Sequence, residues 1–447
     1  MPASRPRVMR RSLVPDIANI YTFGRCLASH RVPGQVVIQI TDACNARCPQ
    51  CGMRVTAGFA RHRLSVDRVR RILDAAAARG VASVSFTGGE PFLMTDDLVA
   101  MIDHASRVGI PLIRTGTNGF WLRDRGDGAF ENRVHRLAER LADTALRNLW
   151  ISIDSADVAT HERMRGLTGV IRGIEKALPI FQRHGIYPSA NLGLNRNLGG
   201  PAFADWQQRQ AHRADQPDYL EALARGYHQA LHRFYAFVES LGFTIVNTCY
   251  PMSVPRGPSA DGLSAVYAAT AADAVVRYRR AEKAVLFRVL ADVIAQWRHR
   301  LRIFTPLSAL HHLEAQYRNG HPAGYGCRGG IDFFFIDAAD GRTYPCGYRG
   351  AESLGSFTAQ ACRTPDQACR RCDWECFRDP SELFGPLQEL RRDPFGLIKN
   401  WRADSAFYRR WCQDLRYYDA CDWFDGRRPP DFRRLARSNG QHPPLRP

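Results

Sequence analysis

Three cysteines close together follow the first predicted strand of the chain. That strand is the β-branched run Val36 to Ile40, and after it come Cys44, Cys48 and Cys51 in the spacing C-x3-C-x2-C. A short loop of this kind can wrap three thiolates around three corners of one 4Fe–4S cube and leave the fourth iron open. Structural zinc and unligated thiols are the alternatives, although zinc prefers four closed ligands and the loop holds no fourth Cys or His. The spacing therefore favours a cluster with one iron free to bind a small molecule.

A glycine-rich turn ends the second predicted strand, one strand–helix unit after the cysteine loop. The strand covers residues 82–87, and the turn is Gly88, Gly89, Glu90 and Pro91. Two glycines allow the backbone to approach a ligand closely, and a carbonyl-rich turn can accept hydrogen bonds from a cationic amine. An ordinary Gly-Gly turn is the alternative when the motif is taken alone. Its position after the cysteine loop favours a binding role.

Together the two motifs resemble the radical S-adenosylmethionine (radical SAM) superfamily. Polar residues at the ends of the next strands support the resemblance: Asn118 in Thr-Asn-Gly, Ser152 and Asp154 in Ser-Ile-Asp, and Arg165 in Arg-Gly. Their order and spacing match the family over about residues 34 to 200.

The resemblance implies a specific chemistry. The open iron would chelate the amino and carboxylate groups of S-adenosylmethionine, and the reduced cluster would break its sulfur–carbon bond to leave a 5′-deoxyadenosyl radical. The Gly-Gly-Glu-Pro turn would hold the amino group, and Ser152 and Arg165 would approach the carboxylate. Asn118 or Asp154 would approach the ribose, although turn and cap roles are the alternative for such residues. Gln50 departs from the family, which usually has an aromatic residue there near the adenine.

A second group of cysteines lies towards the C-terminus. It resembles the auxiliary-cluster domain called SPASM, or its shorter relative twitch, found in radical SAM enzymes that act on peptides. The first part of the family pattern fits, whereas the spacing after Cys372 does not. The resemblance implies one auxiliary 4Fe–4S cluster, with two as an alternative, and the candidate ligands are Cys327, Cys346, Cys369, Cys372 and Cys376.

The identity of the metal in the second cysteine group and the roles of the remaining cysteines have alternatives. Zinc is the alternative for the last three candidate ligands, and Cys362, Cys412 and Cys421 are spare candidates. Cys26 and Cys249 are expected to be small buried hydrophobes, with Cys249 as an alternative extra ligand. Gly347 follows Cys346 where sulfatase-maturing relatives have an aspartate, which counts against sulfatase maturation.

Alternating strands and helices must position these residues. One example is a helix that Ser65 caps and Gly80 ends. The alternation predicts an α/β fold, a partial (β/α)6 TIM-like barrel with helical insertions and a small cysteine-rich C-terminal domain. Reactive groups in such folds gather at the carboxyl ends of the strands, where both motifs lie. The predicted regions are an N-terminal extension over 1–33 with a short helix near 17–27, a radical SAM core over 34–250, a helical linker or substrate region over 251–323, an auxiliary-cluster domain over 324–430 and a flexible tail over 431–447.

Composition indicates which partners and which cellular location to expect for the protein. Lys and Arg number 62 against 44 Asp and Glu, a net charge of +18. The arginines are scattered and no aromatic-plus-basic motif appears, so nucleic acid is not the expected partner. No apolar run approaches the roughly 20 residues of a membrane span, and no secretory signal is evident, so we expect a cytoplasmic protein. Its 13 cysteines are then expected to be metal ligands or free thiols.

These observations lead to one main functional hypothesis. The chain is expected to be a radical SAM enzyme that modifies a peptide or a small natural product, with flavodoxin or ferredoxin as electron donor. An RNA-modifying radical SAM enzyme is an alternative favoured by the positive charge. A non-catalytic iron–sulfur electron carrier is another, which the Gly-Gly-Glu-Pro turn and the open three-cysteine loop argue against.

Overall fold

Strands and helices alternate along most of the chain. The structure, a computed structural model, describes residues 32–124, 126, 128–254, 259, 262–266, 274–359 and 368–439. The predicted helix near residues 17–27, Cys26 and Cys362 therefore lie outside the described residues. The strands are β1 Gly34–Thr41, β2 Val81–Gly88, β3 Leu112–Thr117, β4 Asn148–Ser152, β5 Ser189–Gly193, β6 Ile245–Cys249, β7 Arg302–Ile303, β8 Phe333–Ile336, β9 Arg342–Tyr344 and β10 Gly355–Ser356.

Helices connect these strands and follow the last of them. None of those in the described ranges is long and apolar enough to cross a membrane. The helices are α1 Val66–Ala78, α2 Thr95–Arg107, α3 Phe130–Ala142, α4 Val158–Arg165, α5 Val170–Arg183, α6 Pro201–Arg209, α7 Pro217–Leu241, α8 Arg280–Trp297, α9 Leu307–Asn319, α10 Glu375–Arg392, α11 Pro394–Ala403, α12 Ser405–Ala420 and α13 Phe432–Ser438.

All the strands belong to one sheet in the order β10-β9-β8-β1-β2-β3-β4-β5-β6-β7. Neighbours from β1 to β7 are parallel, β8 pairs with β1 in parallel, and β9 and β10 are antiparallel. The predicted α/β fold with a parallel sheet is confirmed. The sheet is open, because β7 and β10 are its two edges within the described residues.

Strand β1 lies in the middle of this sheet and is buried on both faces. Val36 and Ile38 belong to the large core that includes Leu73 of α1. Val37 points the other way and packs in a second cluster with Phe333 and with aromatic residues from the start of α10. A strand that is covered on both faces reads as a continuous apolar run, which is how β1 is recognised in the sequence.

The start of α10 contacts the end of β6 and helix α8 through polar side chains. The backbone N–H of Tyr250, just after β6, donates to Glu375 Oε2 at 3.2 Å. Lys283 Nζ of α8 lies 2.8 Å from Asp373 Oδ2. The beginning of α10 is therefore held beside the carboxyl end of β6, the end at which polar and reactive residues gather.

Candidate functional site

The cysteines of the first motif lie in the loop after β1. Cys48 is 7% exposed, and Cys44 and Cys51 are partly buried. Burial raises the pKa of the Cys48 thiol to about 12 and that of Cys51 to about 11. The negative charges of the other loop thiols raise these pKa values further, so the three groups lie near one another. Three thiolates that repel one another in a buried loop fit a shared cationic metal cluster, which neutralises them.

Backbone N–H groups are directed at two of these sulfur atoms. The N–H of Ala46 donates to Cys44 Sγ at 3.4 Å, and the N–H of Met53 lowers the pKa of Cys51. Hydrogen bonds to sulfur tune iron–sulfur centres. No three His, Cys, Asp or Glu side chains in the described part of the chain converge to hold a single metal ion. A cube takes one thiolate at each of three irons, so its ligands do not have to meet at one point.

The glycine-rich turn after β2 packs directly on the backbone of the cysteine loop. Gly89 N–H donates to Thr41 O, and Glu90 N–H donates to Ala43 O, both at 2.8 Å. A Cβ atom on Gly89 would stand 2.0 Å from Ala43 O, and one on Gly88 would stand 2.1 Å from Thr41 O. Both glycines are therefore required by close backbone approach, and the two predicted motifs form one surface.

The Glu90 side chain joins the ends of β2 and β3. It is fully buried, and it accepts from Asn118 N–H at 2.6 Å and from Phe92 N–H at 3.1 Å. Burial raises the pKa of Glu90 to about 7, although the two hydrogen bonds lower it in part. Pro91 begins the short turn Pro91–Met94 and is also buried. Glu90 thus fixes the position of the Gly-Gly-Glu-Pro turn relative to the next strand.

Asn118 reaches back to the cysteine loop. Its Nδ2 lies 2.9 Å from Asn45 Oδ1 and 3.8 Å from Cys44 Sγ. The predicted residues at the ends of β2 and β3 therefore contact the loop that carries the thiols.

A buried ion pair adjoins the cysteine loop. Arg165 Nε is 2.9 Å from Asp154 Oδ2, and Arg165 Nη2 is 2.9 Å from Asp154 Oδ1. The backbone carbonyl of Arg165 accepts from Arg47 N–H at 2.9 Å. The positive charge of the Arg165 guanidinium group lowers the pKa of all three loop cysteines. Arg165 thus supplies a cation beside the thiols. Ser152 ends β4, where it pairs with Asn191 of β5.

Two polar atoms near these residues are buried and lack a hydrogen-bond partner among the described residues. One is Gln50 Oε1, in the cysteine loop, and the other is His161 Nε2. His161 Nδ1 accepts from Asp154 N–H at 3.1 Å, and burial lowers the pKa of His161 to about 4. The ring is therefore neutral and carries its proton on Nε2.

Four of the predicted auxiliary ligands line one small cavity. They are Cys327, Cys346, Cys369 and Cys372, which share the cavity with Arg349 and Trp374. Cys327 and Cys369 exchange backbone hydrogen bonds of 2.7 and 3.0 Å, and Tyr348 N–H donates to Cys346 Sγ at 3.4 Å. Four thiols around one enclosed space fit a fully ligated 4Fe–4S cluster.

Cys376, the fifth predicted auxiliary ligand, faces other groups. Its pKa is raised by burial and by Glu375, and lowered by Arg114 of β3. Burial raises the pKa of Cys249 well above its ordinary value, and the charges of Glu375 and Cys376 raise it further. Burial also raises the pKa of Glu375 to about 7. Arg114 and Glu375 were not among the predicted site residues, although a charged residue inside the apolar strand β3 was an available signal.

The remaining described cysteines lie elsewhere. Cys412 is exposed on α12. Cys421 is fully buried. Burial raises the pKa of its thiol, and a hydrogen bond with the Tyr417 side chain partly offsets this increase.

Comparison with known protein families finds a similarity over the region that carries this site. Residues 38–201, which include the cysteine loop, the turn and the Asp154–Arg165 pair, match the family model described as the radical SAM superfamily. Residues 38–201 are thus similar to the radical SAM superfamily. The matched region begins in β1 and ends after β5, so it covers the strands that carry all the residues around the first motif.

Curated relatives match mainly in this region. A GTP 3′,8-cyclase from Tolumonas auensis is 35% identical over 147 residues, 31% of this chain and 39% of the relative. The chain thus matches well under two thirds of that cyclase. An AdoMet-dependent heme synthase from Methanosarcina barkeri is 23% identical over 336 residues, 72% of this chain and 79% of the relative.

Solved structures with a related arrangement include two complexes. SuiB from Streptococcus suis bound to S-adenosylmethionine has a TM-score of 0.43 at 16% identity, covering 73% of this chain and 64% of SuiB. Native anSMEcpe with bound AdoMet has a TM-score of 0.46 at 13% identity, covering 78% of this chain and 83% of anSMEcpe.

Proposed function

We propose that this protein holds a 4Fe–4S cluster through Cys44, Cys48 and Cys51 and cleaves S-adenosylmethionine with it. The contact between the Gly88–Pro91 turn and the cysteine loop carries the proposal. Two backbone hydrogen bonds of 2.8 Å make the proposed amine-binding turn continuous with the proposed cluster loop. An electron carrier has no need of such a ligand-binding turn beside an incomplete set of thiols.

The residues around the thiols have distinct proposed roles. When bound, the cluster and S-adenosylmethionine supply a 5′-deoxyadenosyl radical. Arg165, held by Asp154, offers its cation to the carboxylate of the ligand. Asn118 or Asp154 offers a polar group to the ribose, and Ser152 offers its hydroxyl to the carboxylate.

Gln50 stands where the family usually has an aromatic residue near the adenine, and we assign it a polar contact with the ligand instead. Its Oε1 is buried in the loop and unpartnered among the described residues. An unpaired buried acceptor is costly, so a ligand N–H that reached it would be favoured. We infer that Gln50 accepts from an amino group of the bound nucleoside.

The substrate we propose is a peptide or a small natural product, with a flavodoxin or ferredoxin as electron donor. Support comes from the cavity lined by Cys327, Cys346, Cys369 and Cys372. An auxiliary cluster there would give the chain a second redox centre, as in the radical SAM enzymes that act on peptides and that the cysteine pattern resembles.

The test is anaerobic reconstitution with iron and sulfide, followed by dithionite and S-adenosylmethionine. Release of 5′-deoxyadenosine and methionine by the wild-type protein, lost in Cys48→Ala, supports catalysis. Release of neither product by a fully reconstituted wild-type protein contradicts the proposal and favours an electron carrier. Cys412→Ala, which removes an exposed thiol far from the loop in sequence, is the matched control and should release both products.

A tetrapyrrole substrate is a second candidate. The match to the AdoMet-dependent heme synthase runs over 72% of this chain, well past the residues of the family model. Mass spectrometry of an iron porphyrin incubated with the reconstituted protein and S-adenosylmethionine checks it. A modified porphyrin supports this candidate, and an unchanged porphyrin beside active cleavage of S-adenosylmethionine argues against it.

A further inference from the structure

Two partly buried thiols and a buried carboxyl group form a cluster at the carboxyl end of β6. Cys249 is the last residue of β6, and Cys376 lies in the first turn of α10. Glu375 lies near both: Cys376 Sγ donates to Glu375 Oε1 at 3.6 Å, and the negative charge of Glu375 raises the pKa of Cys249. Cys249 donates to Asn191 Oδ1 at 3.5 Å. We call Cys249, Glu375 and Cys376 the thiol–carboxyl cluster.

This cluster is separate from the cavity of the proposed auxiliary ligands. The charges acting on Cys372 come from Cys346, Cys327 and its neighbour Asp373, whereas those acting on Cys376 come from Glu375, Arg114 and Asp379. Although Cys372 and Cys376 are one helical turn apart in sequence, their thiols face different groups. Cys376 is therefore not needed to complete a four-thiol cluster.

Strand register places the thiol–carboxyl cluster near the proposed S-adenosylmethionine site. Cys249 of β6 pairs with Gly193 of β5. A Cβ atom on Gly193 would stand 3.4 Å from Asp154 Oδ1, and Asp154 holds Arg165 beside the cysteine loop. Cys249 is thus one strand away from the ion pair that we assign to ligand binding, on the same end of the sheet.

We propose that Cys249 donates a hydrogen atom to a carbon-centred radical in this active site. This inference rests on the proposed function. The S–H bond breaks and a C–H bond forms, so the carbon radical is quenched and the unpaired electron moves to sulfur. An S–H bond is weaker than an aliphatic C–H bond, so the transfer is downhill. A proton from the neighbouring Cys376 or Glu375 and one electron from a donor of the ferredoxin class restore the Cys249 thiol.

The donor can be tested without knowing the substrate. In D2O the Cys249 thiol becomes S–D, and the 5′-deoxyadenosyl radical formed from S-adenosylmethionine alone is then quenched by it. Reconstituted wild-type protein with dithionite and S-adenosylmethionine in D2O should release 5′-deoxyadenosine that carries one deuterium, as measured by mass spectrometry. Cys249→Ala and Cys249→Ser should lose the deuterated fraction, and Cys412→Ala should retain it.

Iron and sulfide content provides the second readout. Cys249→Ala and Cys376→Ala should keep wild-type iron and sulfide, whereas Cys372→Ala should lose about four iron and four sulfide ions per chain, those of the auxiliary cluster. Unchanged deuteration in both Cys249 variants, or loss of iron from Cys376→Ala, would overturn the inference. If the wild-type protein releases no 5′-deoxyadenosine, the proposed function itself fails, which is a different outcome from release without deuterium.

Discussion

Glu90 donates its backbone N–H to the carbonyl oxygen of Ala43 at 2.8 Å, and this bond ties the end of β2 to the loop after β1. The neighbouring Gly89 makes the same kind of bond to Thr41. The loop that carries the three thiols and the turn that follows the next strand are therefore joined as one unit. Any ligand held by the turn is held at a fixed place relative to the thiols.

Adding a methyl group at Gly89 should separate this unit. In Gly89→Ala the Cβ atom would stand 2.0 Å from Ala43 O, which is backbone and cannot rotate away. We expect binding of S-adenosylmethionine, measured by equilibrium dialysis on the reconstituted protein, to fall by an order of magnitude or more. Gly58→Ala is the matched control, because a Cβ atom there meets nothing within 4 Å. Equal binding by the two variants would contradict the role given to the turn.

The buried His161 should make stability depend on pH. Burial lowers its folded-state pKa from 6.5 to about 4, so the folded protein excludes the proton that the unfolded chain binds. The contribution of the neutral His161 ring to the free energy of unfolding is therefore complete above pH 6.5. As the pH falls towards 4, the free energy of unfolding decreases by about 3 kcal/mol. Urea unfolding from pH 7.5 to pH 4 measures this loss. His161→Gln should show a shallower decline than wild type, and parallel curves would argue against a buried neutral ring.

Removal of one thiol from the auxiliary cavity should remove one cluster. Cys346 is 5% exposed and lines the cavity with three other cysteines. We expect Cys346→Ala to bind about four fewer iron atoms per chain than wild type, because a 4Fe–4S cluster is lost. Iron analysis after anaerobic reconstitution gives the number, with Cys412→Ala as control. Full iron content in Cys346→Ala would count against an auxiliary cluster at this place.

A buried ion pair anchors α12 and can be tested by stability alone. Arg298 Nη2 lies 2.7 Å from Asp414 Oδ1, and neither side chain is exposed. Asp414→Ala leaves a buried charge unpaired and should cost about 3–5 kcal/mol in the free energy of unfolding, measured in urea. Replacing both with apolar residues, Arg298→Met with Asp414→Leu, should recover much of that loss.

An exposed ion pair provides the comparison for this prediction. Arg225 and Glu221 lie 3.9 Å apart on α7, and both are largely exposed. Glu221→Ala should change the free energy of unfolding by about 1 kcal/mol at most. Similar losses for Asp414→Ala and Glu221→Ala would show that the buried pair is not an anchor.

Local patterns were enough to predict much of the fold and the composition of the first motif. The apolar run of β1, the Ser65 cap of α1 and the glycines at the end of β2 each depend on residues close in sequence. The capping bond from Arg68 N–H to Ser65 Oγ, at 3.3 Å, is such a local contact. Alternation of strands and helices then leads to a parallel sheet by the rules of chain connection.

Contacts between distant segments could not be predicted in the same way. Strand β8 lies beside β1, although about 300 residues separate them along the chain. Cys249, Glu375 and Arg114 come from three separate elements, and no local spacing indicates that they meet. The unequal surroundings of Cys372 and Cys376 likewise depend on which way the first turn of α10 faces, and sequence spacing alone suggested one group.

The most direct test of the central claim is electron–nuclear double resonance on the reduced cluster with S-adenosylmethionine labelled with 15N in its amino group. Cys327→Ala combined with Cys346→Ala removes the auxiliary cluster, so that the loop of Cys44, Cys48 and Cys51 holds the only proposed cluster. We predict a strong coupling between the cluster spin and the 15N nucleus, as expected for an amino group bound to the open iron. A reduced 4Fe–4S signal that shows no 15N coupling at saturating S-adenosylmethionine would contradict the account.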